Sequence, residues 1–185
     1  MIDRTDSVKI EIRNEIPADV PAIEAVTISA FLNAPHSGHT EQFIVNALRE
    51  AGQLMVSLVA VAANDVVGHV AVSPVSISDG APGWCGLGPI SVAPAYQGRG
   101  VGTRLMREAL RILRENGASG CVVLGEPRYY GRFGFQANPV LVFPGVPPEY
   151  FQALSFGSSR PRGMVSYHPS FNAGPRDVAQ HEPCR

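Results

Sequence analysis

The stretch that most limits what this chain can fold into is "APAYQGRGVGTRLMREAL", Ala93 to Leu110. An apolar run, Trp84 to Val92, leads into it through Pro94. Glycines then fall on alternate positions, Gly98, Gly100 and Gly102, where an amphipathic helix begins. A glycine at such a place costs on the order of 1 kcal/mol relative to alanine, so the cluster needs a reason. A helix start exposes unpaired N–H groups and a partial positive charge. Bare backbone there lets an anion reach several amides without meeting a Cβ.

The helix that follows carries Val101, Leu105, Ala109 and Ile112/Leu113 on one stripe, with Arg104, Arg107, Glu108, Arg111 and Arg114 mostly opposite, and stops at Asn116–Gly117. "CVVL", 121–124, is then placed where a crossover connection brings a strand parallel to the Trp84–Val92 run. Upstream, Lys9 to Arg13 alternates as a strand. The Pro17, Asp19, Pro21 cluster opens a helix to about Leu32, and a second helix runs from Glu41 to about Ala51. Strands at Met55–Ala62 and Val66–Ile77 are joined by "AND" as a hairpin. Within the latter, alternation puts Val66, Gly68, Val70 and Val72 on one face, and Val67, His69 and Ala71 on the other. Further strands are expected at Val140–Phe143, Phe151–Phe156 and Met164–Tyr167. The order predicts a mixed α/β sheet in a single domain over residues 1–172, with a flexible tail over 173–185.

Fifteen Lys and Arg against sixteen Asp and Glu leave a formal charge of −1, with no dense basic block, which argues against a nucleic-acid partner. The N-terminus has acids where an export signal has a basic segment, and the longest apolar run, 54–63, is about half a membrane span. These features predict a cytoplasmic protein with no membrane association. Cys85, Cys121 and Cys184 lack CxxC spacing and suggest neither a disulfide framework nor zinc.

Three phosphate-loop patterns compete for the glycine segment. A Walker loop needs a lysine that the segment lacks. A dinucleotide fingerprint needs GxGxxG in a tight strand-to-helix turn, whereas the spacing here is GxGxG, four residues beyond Val92. The third pattern, [Q/R]xxGx[G/A], is met by Gln97, Gly98, Arg99, Gly100, Val101 and Gly102. Together with the preceding strand and the downstream "YYGRFGF", it resembles the GNAT superfamily of N-acetyltransferases, in its small bacterial branch, over about residues 8–172.

That resemblance implies a mostly antiparallel central sheet with one splayed parallel pair of strands, flanked by helices. It implies acetyl-CoA as acyl donor, no metal, and a small-molecule or peptide amine as acceptor. A homodimer is compatible with it. The pyrophosphate is expected on the amides of Gln97 through Gly102, with Arg99 as an added cation or a solvated loop residue. The pantetheine arm is expected along the backbone of Ile90, Ser91 and Val92, beyond a break at Gly88–Pro89. The Val92 amide would hold the oxyanion, and Tyr130 would be the general acid, leaving Tyr129 to packing.

For the base, His69 and Glu41 are candidates. Each also has a plain structural reading, as a strand histidine satisfied by a neighbour and as a first-turn acid facing the helix dipole. The HxxH spacing of His36 and His39 lacks a third ligand for a metal. A non-catalytic acyl-CoA-binding module is the alternative function, and the presence of Tyr130 weighs against it.

Overall fold

The computed structural model describes residues 9–34 and 37–175. His36, Cys184 and the tail from 176 onward lie outside the described residues. The chain runs β1 (Ile10–Asn14), α1 (Val20–Phe31), α2 (Glu41–Glu50), β2 (Val56–Ala62), β3 (Asp65–Ile77), β4 (Trp84–Val92), α3 (Val101–Glu115) and β5 (Gly120–Leu124). After it come α4 (Pro127–Tyr130), β6 (Gln136–Ala137), β7 (Leu141–Val142), β8 (Phe151–Ser155) and β9 (Gly163–Tyr167).

The strands form one sheet in the order β1-β2-β3-β4-β5-β8-β6, with β9 pairing the far end of β3 and β7 pairing β9. All pairings are antiparallel except β4 with β5 and β7 with β9. The β2–β3 hairpin closes through Ala63 and Asn64, both at positive φ, as a two-residue turn between right-twisted strands requires.

Period-two alternation on β2 gives the sheet two buried faces. Val56, Leu58, Ala60 and Ala62 join Leu105, Met106, Ala109, Leu110 and Leu113 of α3, whereas Val59 joins Ile23 of α1, Val45 of α2 and Ala71. Leu105 and Leu113 have no exposed surface, and truncating either to alanine costs about 2–5 kcal/mol. Gly68 lets α3 come this close: a Cβ there would stand 3.1 Å from Leu105 Cδ1 and 3.3 Å from Val101 Cγ1.

The expected facing of β3 is corrected at its start. Ala60 pairs with Gly68 but Val61 pairs with Val66, so Val67 is an extra residue in a bulge. The bulge turns Val67 toward the α3 face with Val70 and Val72, and sends Val66 to the α1–α2 face with Ala71. Strict alternation had assigned these two valines the other way round.

A second irregularity shapes the site. β4 pairs with β5 only from Trp84–Gly120 to Leu87–Val123. Immediately after Leu87, the β3–β4 register slips: Val72 faces Leu87 but Val70 faces Ile90, so β4 carries one more residue than β3 across Gly88–Pro89. The two strands therefore part company from Gly88 onward, as the resemblance implied.

Candidate active site

The parted end of β4 presents one backbone edge. The amide of Ala93 donates to the carbonyl of Val67, flanking the Gly68–Val92 pair, which is thus of the non-hydrogen-bonded kind. Alternation makes His69–Ser91 the bonded pair and Val70–Ile90 again non-bonded. Ile90 and Val92 accordingly aim their amides and carbonyls away from β3, toward the gap. Ser91 does not: its backbone is spent on His69, and its buried hydroxyl donates to Thr27 Oγ1 of α1 at 3.2 Å. Of the three residues expected to offer backbone to a ligand, Ser91 is corrected to a packing role.

The Val92 carbonyl already has a partner, since Gln97 Nε2 donates to it at 3.0 Å. The Gln97 amide is also engaged, with the Pro94 carbonyl at 3.3 Å, so the run of free amides begins at Gly98 rather than at Gln97. Gly98 and Gly100 sit at φ +72° and +80°, and Gly100 caps α3 in the left-handed conformation. That geometry demands glycine on its own account, because a Cβ on either residue would meet no protein atom within 4 Å. Among the described residues, the amides of Gly98, Arg99 and Gly100 find no protein acceptor, and the first helical bond is Arg104 to the Gly100 carbonyl at 3.0 Å. The guanidinium of Arg99 lies over the Tyr96 ring, 5.7 Å from its centre.

Gly102 is different. It lies inside α3, and a Cβ there would come within 2.8 Å of the Tyr129 hydroxyl. Tyr129, expected only to pack, instead lines a cleft of about 220 Å³ together with Ile90, Val92, Gln97, Gly102 and the α1 residues Ala30 and Phe31. Arg132 holds the ring from another side, with its guanidinium 4.5 Å from the ring centre and Nε bonded to the Tyr129 carbonyl. Periodicity could not have found this role, because α4 is a single turn placed by the chain that follows β5.

Tyr130 stands edge-on to Tyr129 at 5.0 Å and 6.1 Å from Phe135. Its ring fills the space that a Cβ on Gly125 would need. Burial pushes its phenol well above the ordinary value, and the nearby Tyr129 hydroxyl and Cys121 thiol push it further. The phenol therefore holds its proton to higher pH than a free tyrosine does.

His69 has no exposed surface and lines no part of the cleft. Its Nε2 lies 2.8 Å from Ser57 Oγ, which also donates to Glu15, and Glu15 pairs with Arg49 of α2 at 2.8 Å. Desolvation lowers the imidazole pKa, outweighing the opposite pull of Glu15. Burial works to raise the Glu15 pKa, but hydrogen bonds from Arg49, His69 and Ser57 together hold it far below the usual carboxylate range. This four-residue network draws on β1's end, β2, β3 and α2, so no local spacing announced it.

Glu41 opens α2, where Oε1 accepts from Ser37 Oγ at 2.7 Å. Its Oε2 is buried with no partner among the described residues. Neither it nor His69 adjoins Tyr130 in any contact described above.

The sheet thus opens between two parallel strands, beside a left-handed glycine turn at a helix start. Residues 22–135 match the acetyltransferase (GNAT) family. The chain is 35% identical over 168 residues to the N-acetyltransferase YhbS of Escherichia coli (strain K12), covering 87% of this chain and 98% of that one. A GNAT family acetyltransferase from Brucella melitensis, solved in complex with acetyl-CoA, is 47% identical, with a TM-score of 0.79 over 88% of this chain and 98% of its own. Escherichia coli YhbS in complex with CoA superposes with a TM-score of 0.80 at 34% identity, covering 90% and 93%. The protein belongs to the GNAT family and is an N-acetyltransferase.

Proposed function

We propose that the chain moves an acetyl group from acetyl-CoA to a primary amine by direct attack on the thioester. The observation that carries this reading is the pair of outward-facing residues, Ile90 and Val92, on a strand edge that β5 has left. They face a cleft whose lining also includes Gln97 and Gly102, which flank in sequence the free amides of Gly98, Arg99 and Gly100. A pantetheine arm is an amide-bearing chain, and it extends a sheet as an added strand does. The pyrophosphate then meets Gly98, Arg99, Gly100 and the first turn of α3, where backbone donors and the helix dipole favour negative charge. That two relatives were solved with CoA or acetyl-CoA supports the same donor here.

In the reaction, the neutral amine nitrogen forms a bond to the thioester carbon, and the oxygen's developing charge falls to the Val92 amide. The carbon–sulfur bond breaks, the leaving sulfur takes a hydrogen bond and proton from Tyr130, and the nitrogen gives its proton to solvent, which returns one to the Tyr130 phenolate. A phenol of raised pKa is a weak acid toward a thiol of ordinary pKa, so the hydrogen bond to sulfur precedes full proton transfer.

Thiol release from acetyl-CoA measured across a broad amine panel tests the reading. Amine-dependent release, lost in Tyr130→Phe, is the expected result. Tight acetyl-CoA binding without release by any amine would instead identify a donor-binding module.

A further inference from the structure

The β4 cleft shares a wall with a second cavity. Phe31 lines both, and the second, of about 110 Å³, is completed by Ile28, Leu32, His39 and Gln42. Its two aliphatic residues are exposed, Ile28 of α1 at 44% and Leu32, just past the end of that helix, at 63%. Exposed apolar surface gathered at a concave site marks a place where something apolar docks.

The wall is built, not incidental. His39 holds a left-handed backbone at φ +54°, a conformation uncommon for a residue with a Cβ. Its partners are visible: Gln42 Nε2 donates to the His39 carbonyl at 3.1 Å, and the His39 amide donates to Ser37 Oγ at 3.0 Å. Ser37 is in turn tied to Glu41.

Among the described residues, no carboxylate lines either cavity. A second cationic group on an acceptor would therefore sit against Ile28, Phe31 and Leu32 without a counter-charge, which is unfavourable. An apolar chain in the same place gains from leaving water. Size narrows the class further: an engineered cavity of about 150 Å³ takes one benzene, so about 110 Å³ takes about four carbons, with the rest of a longer body lying outside it toward the β4 edge.

Resting on the transferase reading above, we propose that the acceptor is a primary amine on a short apolar body. The body seats between Ile28, Phe31, Leu32 and His39, and the nitrogen reaches past Phe31 to the β4 edge.

The test compares amines of matched length in the thiol-release assay, with acetyl-CoA binding measured separately by calorimetry. Hexylamine and benzylamine should show kcat/KM at least tenfold above 5-aminopentanol and 1,5-diaminopentane. Leu32→Ser and Ile28→Ser, both at exposed positions, should raise KM for hexylamine at least fivefold, while KM for 1,5-diaminopentane and the Kd for acetyl-CoA move less than twofold. Equal or better turnover of the hydrophilic amines, or serine variants that leave the hexylamine KM unchanged, would overturn this inference and leave the transferase standing. Protein that binds acetyl-CoA yet releases thiol with no amine would overturn both.

Discussion

The hydroxyl of Tyr129 stands against Gly102, 2.8 Å from where that glycine's Cβ would be. One residue of the glycine cluster is thus fitted to a side chain, while Gly98 and Gly100 are fitted to a backbone conformation. The distinction is measurable. Gly102→Ala should weaken acetyl-CoA binding about tenfold by displacing Tyr129, yet cost less than about twofold in a Tyr129→Phe background, a coupling of about 1 kcal/mol. Equal losses in both backgrounds, by calorimetry, would detach the glycine from the tyrosine.

Gly100 invites a different substitution. Asparagine tolerates left-handed backbone, so Gly100→Asn should lower Tm by no more than about 4 °C. A side chain there should still crowd the approach to the neighbouring amides, weakening acetyl-CoA binding at least about tenfold. An affinity that survives in this variant would assign the glycine wholly to conformation.

Tyr130→Phe keeps the ring against Gly125 and Phe135, so donor affinity should hold while kcat falls about a hundredfold. The raised phenol pKa also shapes the pH profile: the alkaline decline should begin above the value near 10 of a free tyrosine. A decline centred at or below 10 in the parent, absent from the variant, would show that the phenol is solvated during turnover.

Stability should report His69 and Glu15 in separate windows. The imidazole pKa is lowered by folding, so the native state resists a proton that the unfolded chain accepts, and stability falls as pH drops below about 6.5. The slope is at most about 1.4 kcal/mol per pH unit. Glu15, also lowered, supports the fold above the ordinary carboxylate pKa and loses that support as pH falls below about 4.5. In denaturant titrations between pH 5 and 6.5, His69→Gln should flatten the first window. An unchanged slope would locate the proton elsewhere.

Much of this was legible in the chain because its signals are local. The α3 stripe, the Asn116–Gly117 stop, the hairpin at Ala63–Asn64 and the glycine spacing are each fixed by neighbours in sequence, and the elements lie within a few residues of where pattern put them. What escaped depends on partners far along the chain. The Val67 bulge is decided by β2's register, the fate of Ser91's backbone by its pairing with His69, and the position of Tyr129 by a single helical turn beside α3. The buried His69 and the half-buried Glu15, Ser57 and Arg49 come together only after three strands and a helix have assembled. Polar residues at strand positions flanked by valine, such as Ser57 and His69, were the available hint.

The parting of β4 from β5 also has a mechanical side. The sheet amounts to two plates, β1 to β4 and β5 with β8 and β6, riveted along the short Trp84–Leu87 seam and free at the other end. The chain recrosses from the second plate to the first: β8 leads to β9, which is stitched to β3 through Val75–Ile77. Both ends of that crossing lie at the riveted end, since Ser155 faces Gly120, Gly120 faces Trp84 and Pro74 faces Cys85. The 156–162 connection therefore doubles the rivet and leaves the free end, from Gly88 onward, to the residues that line it.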